Sequence, residues 1–350
     1  MRIAQFSVES AKCYNSSVPN EAFFAVVIPT LNRGRRLVSA VRSVLAQTEN
    51  SLECWVVDGG STDDTRDRIE RLPDERLRCV WNEKRIGVWC RNQAIERTRA
   101  PWIAFIDDDD AWLPGHLAEI RSAIASRPRT GFWFTNAYVH RYGRIIGTLF
   151  DPERPIPEGR VPGQYAVGDR HLPYVTSCLA IRRDAFEATG FFRDDMSWLE
   201  DTELYARMLR DGLEVGVIRK PTFVRFIHDA QLTQLHYDDR FLASLDAAIR
   251  AGAPPPDEEL SLRRQICLQV AVHLLKSGRP DAARRFLDEN CGPEGKRLSL
   301  RAWTMAPQAL LKAGKLLRRW WLRARYGPPW APAEYSRALA AIRPYFEGDV

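Results

Sequence analysis

The chain has 350 residues, 45% hydrophobic and 27% charged, with a formal net charge of +6. That composition supports a sizeable buried core, excludes wholesale disorder, and exceeds the usual length of a single domain. No apolar run reaches the roughly 18 residues of a membrane span, and the seven scattered cysteines and six histidines show neither CxxC nor HExxH spacing, which argues against disulfide frameworks and structural zinc.

Residues 1–22 lack the apolar core of a secretory signal and read as a leader, and the scattered thiols fit a reducing cytoplasmic setting. From Phe24 the hydrophobic period then alternates. "FAVVIP" is a short β-branched run, and the following "RRLVSAVRSVLAQT" gathers Leu37, Ala40, Val41, Val44 and Leu45 on one helical face. "LECWVVD" reads as a second strand, "TDDTRDRIERL" as a helix, "RCVW" as a third strand, "WCRNQAIERT" as a helix and "WIAFID" as a buried fourth strand. This β-α-β-α-β-α-β order predicts an α/β fold with a mostly parallel, Rossmann-like sheet covered by helices. Ligands of such sheets bind beyond the C-terminal strand ends, here Thr30, Asp58 and Asp107. A helix ("GHLAEIRSAIASR"), an aromatic strand ("GFWFTNAYVH"), a Pro/Gly-rich loop over 151–168 that could serve as a lid, another strand ("TSCLAIRR") and a helix ending at Gly212 follow. Beyond about residue 235, Ala, Leu and Arg dominate and helices are expected to the end, with "GAPPPDEE" as a joint and "VAVHLLKSGRPDAARRFL" as a helical hairpin.

Three acidic stretches carry chemistry. In "WIAFIDDDDAWLP" four consecutive aspartates follow a buried strand, where they raise one another's pKa unless a cation neutralises them. Hard divalent cations take oxygen ligands, and an extended segment would point Asp107 and Asp109 to one side; a solvated turn that leads into the next helix is the competing reading. Asp58 ends the second strand in "VVDGGSTDDT", where Gly59 and Gly60 allow close backbone approach and Ser61 or Thr62 can cap the next helix. In "SWLEDTELYARM" the Ser197-x-x-Glu200 spacing fits a capping box, which leaves Asp201 as the freer carboxylate of a rigid first turn, placed for a general base or simply for helix stability. No G-x-G-x-x-G or P-loop motif occurs.

The segments "VVIPTLNR", "VVDGGSTDDT", "VWCRNQAI", "FIDDDDAWLP" and "WLEDTELYARM" together resemble family 2 glycosyltransferases, the inverting GT-A enzymes, over about residues 23–235. The resemblance implies a nucleotide-diphosphate-sugar donor, a divalent cation (Mn²⁺ or Mg²⁺) and a hydroxyl acceptor, a glycan or lipid-linked glycan of cell-surface polysaccharide synthesis. It implies that Thr30 and Asp58 hold base and ribose, that Arg91 assists nucleotide binding, and that Asp107 touches the nucleotide. Asp109 would then be the metal ligand and Asp201 the catalytic base, while His228 in "VRFIHDAQLT" approaches the diphosphate or metal. Leu31, Gly59 and Asp108 depart from the family pattern without removing a proposed ligand. The domain reading is a leader (1–22), a GT-A domain (23–235) and a helical C-terminal region (236–350). A non-catalytic GT-A-like scaffold and a nucleotidyltransferase are the competing classes; for the latter the glycine-rich phosphate loop after the first strand is missing.

The basic excess sits near the end. Nine basic residues and no acid lie between Glu294 and Glu334, so the rest of the chain is net acidic. In "ALLKAGKLLRRWWLRARY" Lys312, Lys315, Arg319 and Arg323 share one helical face, with Leu310, Leu317, Trp320 and Trp321 opposite. Such a helix suits an anionic membrane surface, and equally a core-packing helix with a solvated basic face; no nucleic-acid module accompanies the charge. The corresponding expectation is a cytoplasmic protein peripheral at the inner membrane face.

Overall fold

The computed structural model describes residues 22–83, 87–141, 143–167, 171–196, 198–228, 239–276, 278–290 and 333–346. The first strands appear where the apolar runs place them: β1 (Phe24–Thr30), β2 (Leu52–Asp58), β3 (Leu77–Trp81) and β4 (Trp102–Phe105). They pair in parallel, β3 to β2, β2 to β1 and β1 to β4. Helices α1 (Gly34–Leu45), α2 (Thr65–Glu70) and α3 (Asn92–Arg97) make the crossovers. Because both faces are covered there, β1 and β4 read as near-continuous apolar runs rather than alternating, and Phe24 to Ile28 have no exposed surface. The predicted face of α1 is the buried one, with Leu37, Ala40, Val41 and Val44 in the core; each large aliphatic residue so buried contributes about 1.5–3 kcal/mol.

The second half of the sheet is mixed. After a two-residue strand β5 (Ala111–Trp112) and helix α4 (His116–Ser126) come β6 (Thr130–Arg141), β7 (Arg144–Thr148) and β8 (Leu179–Arg182). Helices α5 (Arg183–Thr189) and α6 (Glu200–Arg210) then lead to β9 (Glu214–Ile227). The nine strands lie in the order β3-β2-β1-β4-β8-β6-β9-β5, with β7 beside β6. β8 runs antiparallel to β4 and β6, β9 parallel to β6, and β5 antiparallel to β9. β9 escapes the sequence pattern because Pro221 lies within it, and a proline cannot donate to a ladder. The register against β6 shifts at Thr135–Asn136 and Asn136–Ala137, where Asn136 faces Pro221, so the strand passes the proline through an irregularity.

Gly216 on β9 lies against the Trp133 ring, so that a Cβ there would stand 2.4 Å from the indole. Trp133 is fully buried, so a shift of its ring has to displace core neighbours. Gly216→Ala is therefore expected to destabilise by about 1–3 kcal/mol, read as a lower urea midpoint with unchanged slope.

The described part of the 151–168 loop, 151–167, is packed onto the fold rather than standing free. The Gly159 and Val215 backbones exchange hydrogen bonds at 2.8 Å, Arg219 donates to the carbonyls of Pro152 and Arg154, and Ile156, Val161 and Val167 are buried. Neither Ser61 nor Thr62 caps α2, which starts later, at Thr65; Ser61 is turned to Asp58 instead. Ser197, and with it the expected capping box, lies outside the described residues; the Glu200 carboxylate accepts from Arg91 Nη1 at 3.2 Å. α6 begins after Leu199, whose left-handed backbone (φ 54°) swings the chain into the helix without a side-chain cap.

Helices α7 (Asp239–Ala251), α8 (Pro256–Lys276) and α9 (Pro280–Asn290) follow the sheet, with α8 and α9 forming the expected hairpin. α10 (Ala333–Ile342) returns to the sheet. Its Ala338 and Ile342, with Tyr345 beyond, pack on Ala111, Tyr138, Ile145 and Val224. The basic segment 310–325 and residues 1–21 lie outside the described residues. Among the described residues no helix is long and apolar enough to cross a membrane.

Candidate active site

Parallel pairing brings Thr30, Asp58 and Asp107 to one edge. Thr30 sits opposite Asp58 in the β1–β2 register, and the Gly59 N–H donates to the Thr30 carbonyl at 2.8 Å. β4 continues into the aspartate block, which forms a turn, with the Asp110 N–H donating to the Asp107 carbonyl at 3.2 Å. An extended segment would have paired Asp107 with Asp109 only. The turn adds Asp110, and ligand atoms of Asp107, Asp109 and Asp110 lie within 4.8 Å of one another. Asp108 points elsewhere, accepting from the Thr30 hydroxyl at 2.8 Å and from Arg33 Nη1 at 3.0 Å.

The far side of the block is fixed by β9. Because β5 pairs with β9, Phe226 and His228 are carried to the turn, and the Phe226 N–H donates to Asp110 Oδ1 at 2.9 Å. Asp109 Oδ2 accepts from Arg33 Nη1 at 3.0 Å and lies 2.9 Å from His228 Nε2. The same Nε2 is 2.8 Å from Arg36 Nη1. A ring proton on Nε2 serves Asp109 only and a lone pair serves Arg36 only, so one histidine nitrogen is claimed by a donor and an acceptor at once.

Burial dominates the electrostatics. It pushes Asp107 and Asp110 above the usual carboxylate range; for Asp110 the charges of Asp109 and Asp107 add to it, while Arg91 opposes the shift at Asp107. Asp108 is pushed up to about 6 by burial, against the opposing charge of Arg33. Three crowded carboxylates within 4.8 Å of one another, beside an imidazole, form a set that fits a hard divalent cation.

Asp58 is buried and closes its own turn, accepting the Gly60 and Ser61 N–H groups at 3.1 and 2.8 Å together with the Ser61 hydroxyl. Arg91, equally buried, reaches Glu200 Oε1 at 3.2 Å and Asp107 Oδ1 at 3.9 Å. Asp201 follows Glu200 on the first turn of α6. Thr176 donates its hydroxyl to Oδ2 at 3.1 Å and the Thr202 N–H donates to Oδ1 at 2.6 Å. Ser177, next to Thr176, accepts the Asp107 N–H at 3.0 Å, so the turn before β8 ties the α6 carboxylate to the aspartate block. The structure thus gathers Thr30, Asp58, Arg91, Asp107, Asp109, Asp201 and His228 around one edge of the sheet.

Glu200 is pushed up to about 7, by burial first and the Asp201 charge second, with Arg91 opposing. A carboxylate raised in the folded state stabilises the fold below its unfolded pKa and loses that stabilisation as pH rises through the folded value. The loss here runs from about 4.5 to about 7 and amounts to about 3 kcal/mol. Glu200→Gln is expected to remove this slope: urea midpoints at pH 5 and pH 8 should differ less in the variant than in the wild type.

Sequence reasoning missed Arg33, Arg36, Thr176 and Ser177. Two arginines just after the first strand were a signal, but their partners lie far along the chain, 75 residues for Arg33 and Asp108. Thr176 and Ser177 are ordinary hydroxyls whose role arises only when β8 docks beside β4.

Residues 25–190 match the family model "Glycosyl transferase family 2". WfgD of Escherichia coli, a UDP-Glc:alpha-D-GlcNAc-diphosphoundecaprenol beta-1,3-glucosyltransferase, is 28% identical over 131 residues, 37% of this chain and 51% of that protein. The chain thus spans about half the length of that relative. WcaA of E. coli K12, a putative colanic acid biosynthesis glycosyl transferase, is 31% identical over 222 residues, covering 61% of this chain and 75% of WcaA. Among solved structures, Staphylococcus aureus TarS with UDP-GlcNAc superposes with a TM-score of 0.54 at 14% identity, over 92% of this chain and 91% of that one. Mannosyltransferase PcManGT of Pyrobaculum calidifontis, in complex with GDP-Man and Mn²⁺, gives 0.50 at 19% identity over 93% and 86%. A mixed sheet of this topology, with its acidic turn at the ends of the parallel strands, is a GT-A fold. The chain belongs to glycosyl transferase family 2.

Proposed function

We propose that the protein is a metal-dependent inverting glycosyltransferase that moves a sugar from a nucleotide-diphosphate donor to a hydroxyl of a glycan or lipid-linked glycan in cell-surface polysaccharide synthesis. The observation that carries this reading is the meeting of Asp107, Asp109 and Asp110 within 4.8 Å, on the same sheet edge as Asp58, Arg91 and Asp201. The relatives support the substrate class: WfgD is named for a diphosphoundecaprenol-linked acceptor, TarS was solved with UDP-GlcNAc and PcManGT with GDP-Man and Mn²⁺.

In this reading Thr30 and Asp58 contact base and ribose, Arg91 assists nucleotide binding, and Asp107 reaches the nucleotide. Asp109, with Asp110 and His228, would hold Mn²⁺ or Mg²⁺, which supplies positive charge against the departing diphosphate. Asp201 takes the proton of the attacking hydroxyl, and the bonds from Thr176 and Thr202 hold its oxygens in place for that transfer. Attack on the face opposite the leaving group, through an oxocarbenium-like state, inverts the anomeric centre in one displacement, so a single base suffices. Residues 23–235 form the catalytic unit, and the basic segment beyond residue 306 provides peripheral attachment at the inner membrane face. The set of carboxylates favours turnover over a non-catalytic scaffold.

The test is nucleotide release from UDP-, GDP- and dTDP-sugars with Mn²⁺ or Mg²⁺, followed by NMR of the first sugar product. Release from one nucleotide class, with a β product from an α-linked donor, is expected. Retained configuration would contradict inversion, and no release from any donor would contradict the enzymatic reading.

A further inference from the structure

Among the described residues the buried apolar side chains fall into two clusters, a large one shared by the sheet and the helices up to α9, and a small one at the β5 end of the sheet. The small cluster is where the end of the chain returns, with Ala338 and Ile342 of α10 and Tyr345 beyond it. Strand geometry explains the division. Successive side chains of a strand point to opposite faces, so in β5 Trp112 joins the large core and Ala111 the small one. Their register partners on β9, Phe223 and Val224, divide in the same way.

β5 matters because it begins at the residue after Asp110. It has two residues and pairs with β9, so what packs on its faces decides how firmly it is held. On one face the Trp112 N–H donates to Ser43 Oγ at 3.1 Å and the indole to the Ser177 carbonyl at 2.9 Å. On the other, α10 closes the cluster to which Ala111 belongs. The segment after α10 reaches further. Phe346 sets its ring 5.3 Å from that of Phe226, and the Phe226 N–H donates to Asp110 Oδ1 at 2.9 Å. Residues 343–345 also pack against α1, whose Arg36 meets His228. The end of the chain thus touches elements on both sides of the aspartate turn. Ala338, Ile342 and Phe346 carry no group for chemistry, so what they offer the turn is placement. Placement counts at a cation site, whose ligands must be held within about 0.5 Å of the productive geometry.

We propose that α10 and residues 343–346 are a clasp that positions the aspartate turn for its cation, with Ile342 sealing the cluster at β5 and Phe346 bracing Phe226, whose backbone fixes the Asp110 carboxylate. The catalytic unit then extends past residue 235 and takes in the end of the described chain. The effect on cation binding rests on the glycosyltransferase reading, whereas the effect on the turn itself does not. Coupling of this kind is reciprocal: a loosened clasp weakens the cation, and the cation tightens the clasp.

Residue-resolved amide hydrogen exchange on the full chain tests the clasp without any need for turnover. The Phe226 N–H donates to Asp110 and the Leu113 N–H to the Thr222 carbonyl, so both report on the join between β9 and the β5 segment. In Phe346→Ala and Ile342→Ala these two amides are expected to exchange about tenfold faster or more, while Val26 and Val56 in the parallel half stay unchanged. Phe346→Tyr, which keeps the ring at a half-buried position, should behave as wild type. Mn²⁺ titration by electron paramagnetic resonance should show the cation held about fivefold more weakly or worse in both alanine variants, and Mn²⁺ should slow exchange of the α10 amides in the wild type. Should Ile342→Ala fail to fold, Phe346→Ala carries the test. Unchanged exchange at Phe226 and Leu113, or a rise shared equally by Val26 and Val56, overturns the clasp, and faster exchange with unchanged Mn²⁺ affinity overturns its part in cation binding. Faster exchange at the two amides in a protein that binds no Mn²⁺ supports the clasp while overturning the cation reading.

Discussion

Asp201→Asn is expected to lower turnover by about 10²–10⁴-fold, the usual weight of a positioned general base, with donor affinity preserved. The substitution is nearly isosteric. An asparagine can set its oxygen against the Thr202 N–H and its amide against the Thr176 hydroxyl, which then accepts instead of donating, so the local bonds to Asp201 have replacements. Only the capacity to take a proton is lost. Removing the Asp201 charge also removes the second largest cause of the raised Glu200 pKa, so the variant should be no less stable than wild type at pH 8. The measurement is kcat and KM beside a direct donor titration. A loss of donor affinity as large as the loss of turnover would place Asp201 in binding and not in proton transfer.

Arg91→Leu is expected to cost about 3–5 kcal/mol of stability, a large share of the roughly 5–15 kcal/mol typical of a folded domain. The guanidinium is buried beside Phe192 and lies between Glu200 and Asp107, both already resisting ionisation through burial. Without it the buried Glu200 carboxylate and the partly exposed Asp107 carboxylate lose their counter-charge. Glu200 then takes up a proton at higher pH than in the wild type, which moderates the loss near neutrality and steepens it at pH 8. The double variant Arg91→Leu/Glu200→Gln should recover much of the loss, and urea unfolding of the four proteins gives the coupling directly. Additive effects would mean that the pair is not coupled, and that Arg91 stabilises by packing against Phe192.

The two halves of the sheet differ in how far they could be read. β1 to β4 are short, largely apolar runs and α1 carries a single apolar stripe, so local period suffices to place them. The antiparallel half depends on long-range pairing. β5 has two residues and exists because β9 offers it a partner, and β9 carries a proline that argues against a strand from sequence alone. The site divides in the same way. Asp58, Asp107 and Asp109 end or follow buried strands, a position visible in sequence. Which carboxylates of the block converge was not visible, because it depends on a turn that sends Asp108 to Thr30 and Arg33 and folds Asp110 back towards Asp107 and Asp109. The Glu200 pairing with Arg91 spans 109 residues and has no local signature; the capping-box spacing pointed to a nearer partner.

In the proposed function the aspartate turn holds a divalent cation for a nucleotide sugar. Thermal melting of wild type and Asp109→Ala, with UDP-, GDP- and dTDP-sugars in the presence of Mn²⁺, Mg²⁺ or EDTA, tests it most directly. One nucleotide class should raise the wild-type melting temperature only with a cation, by an amount that grows with ligand concentration as binding to the folded state requires. Asp109→Ala should lose that cation dependence. An equal, EDTA-insensitive shift in both proteins would contradict the account.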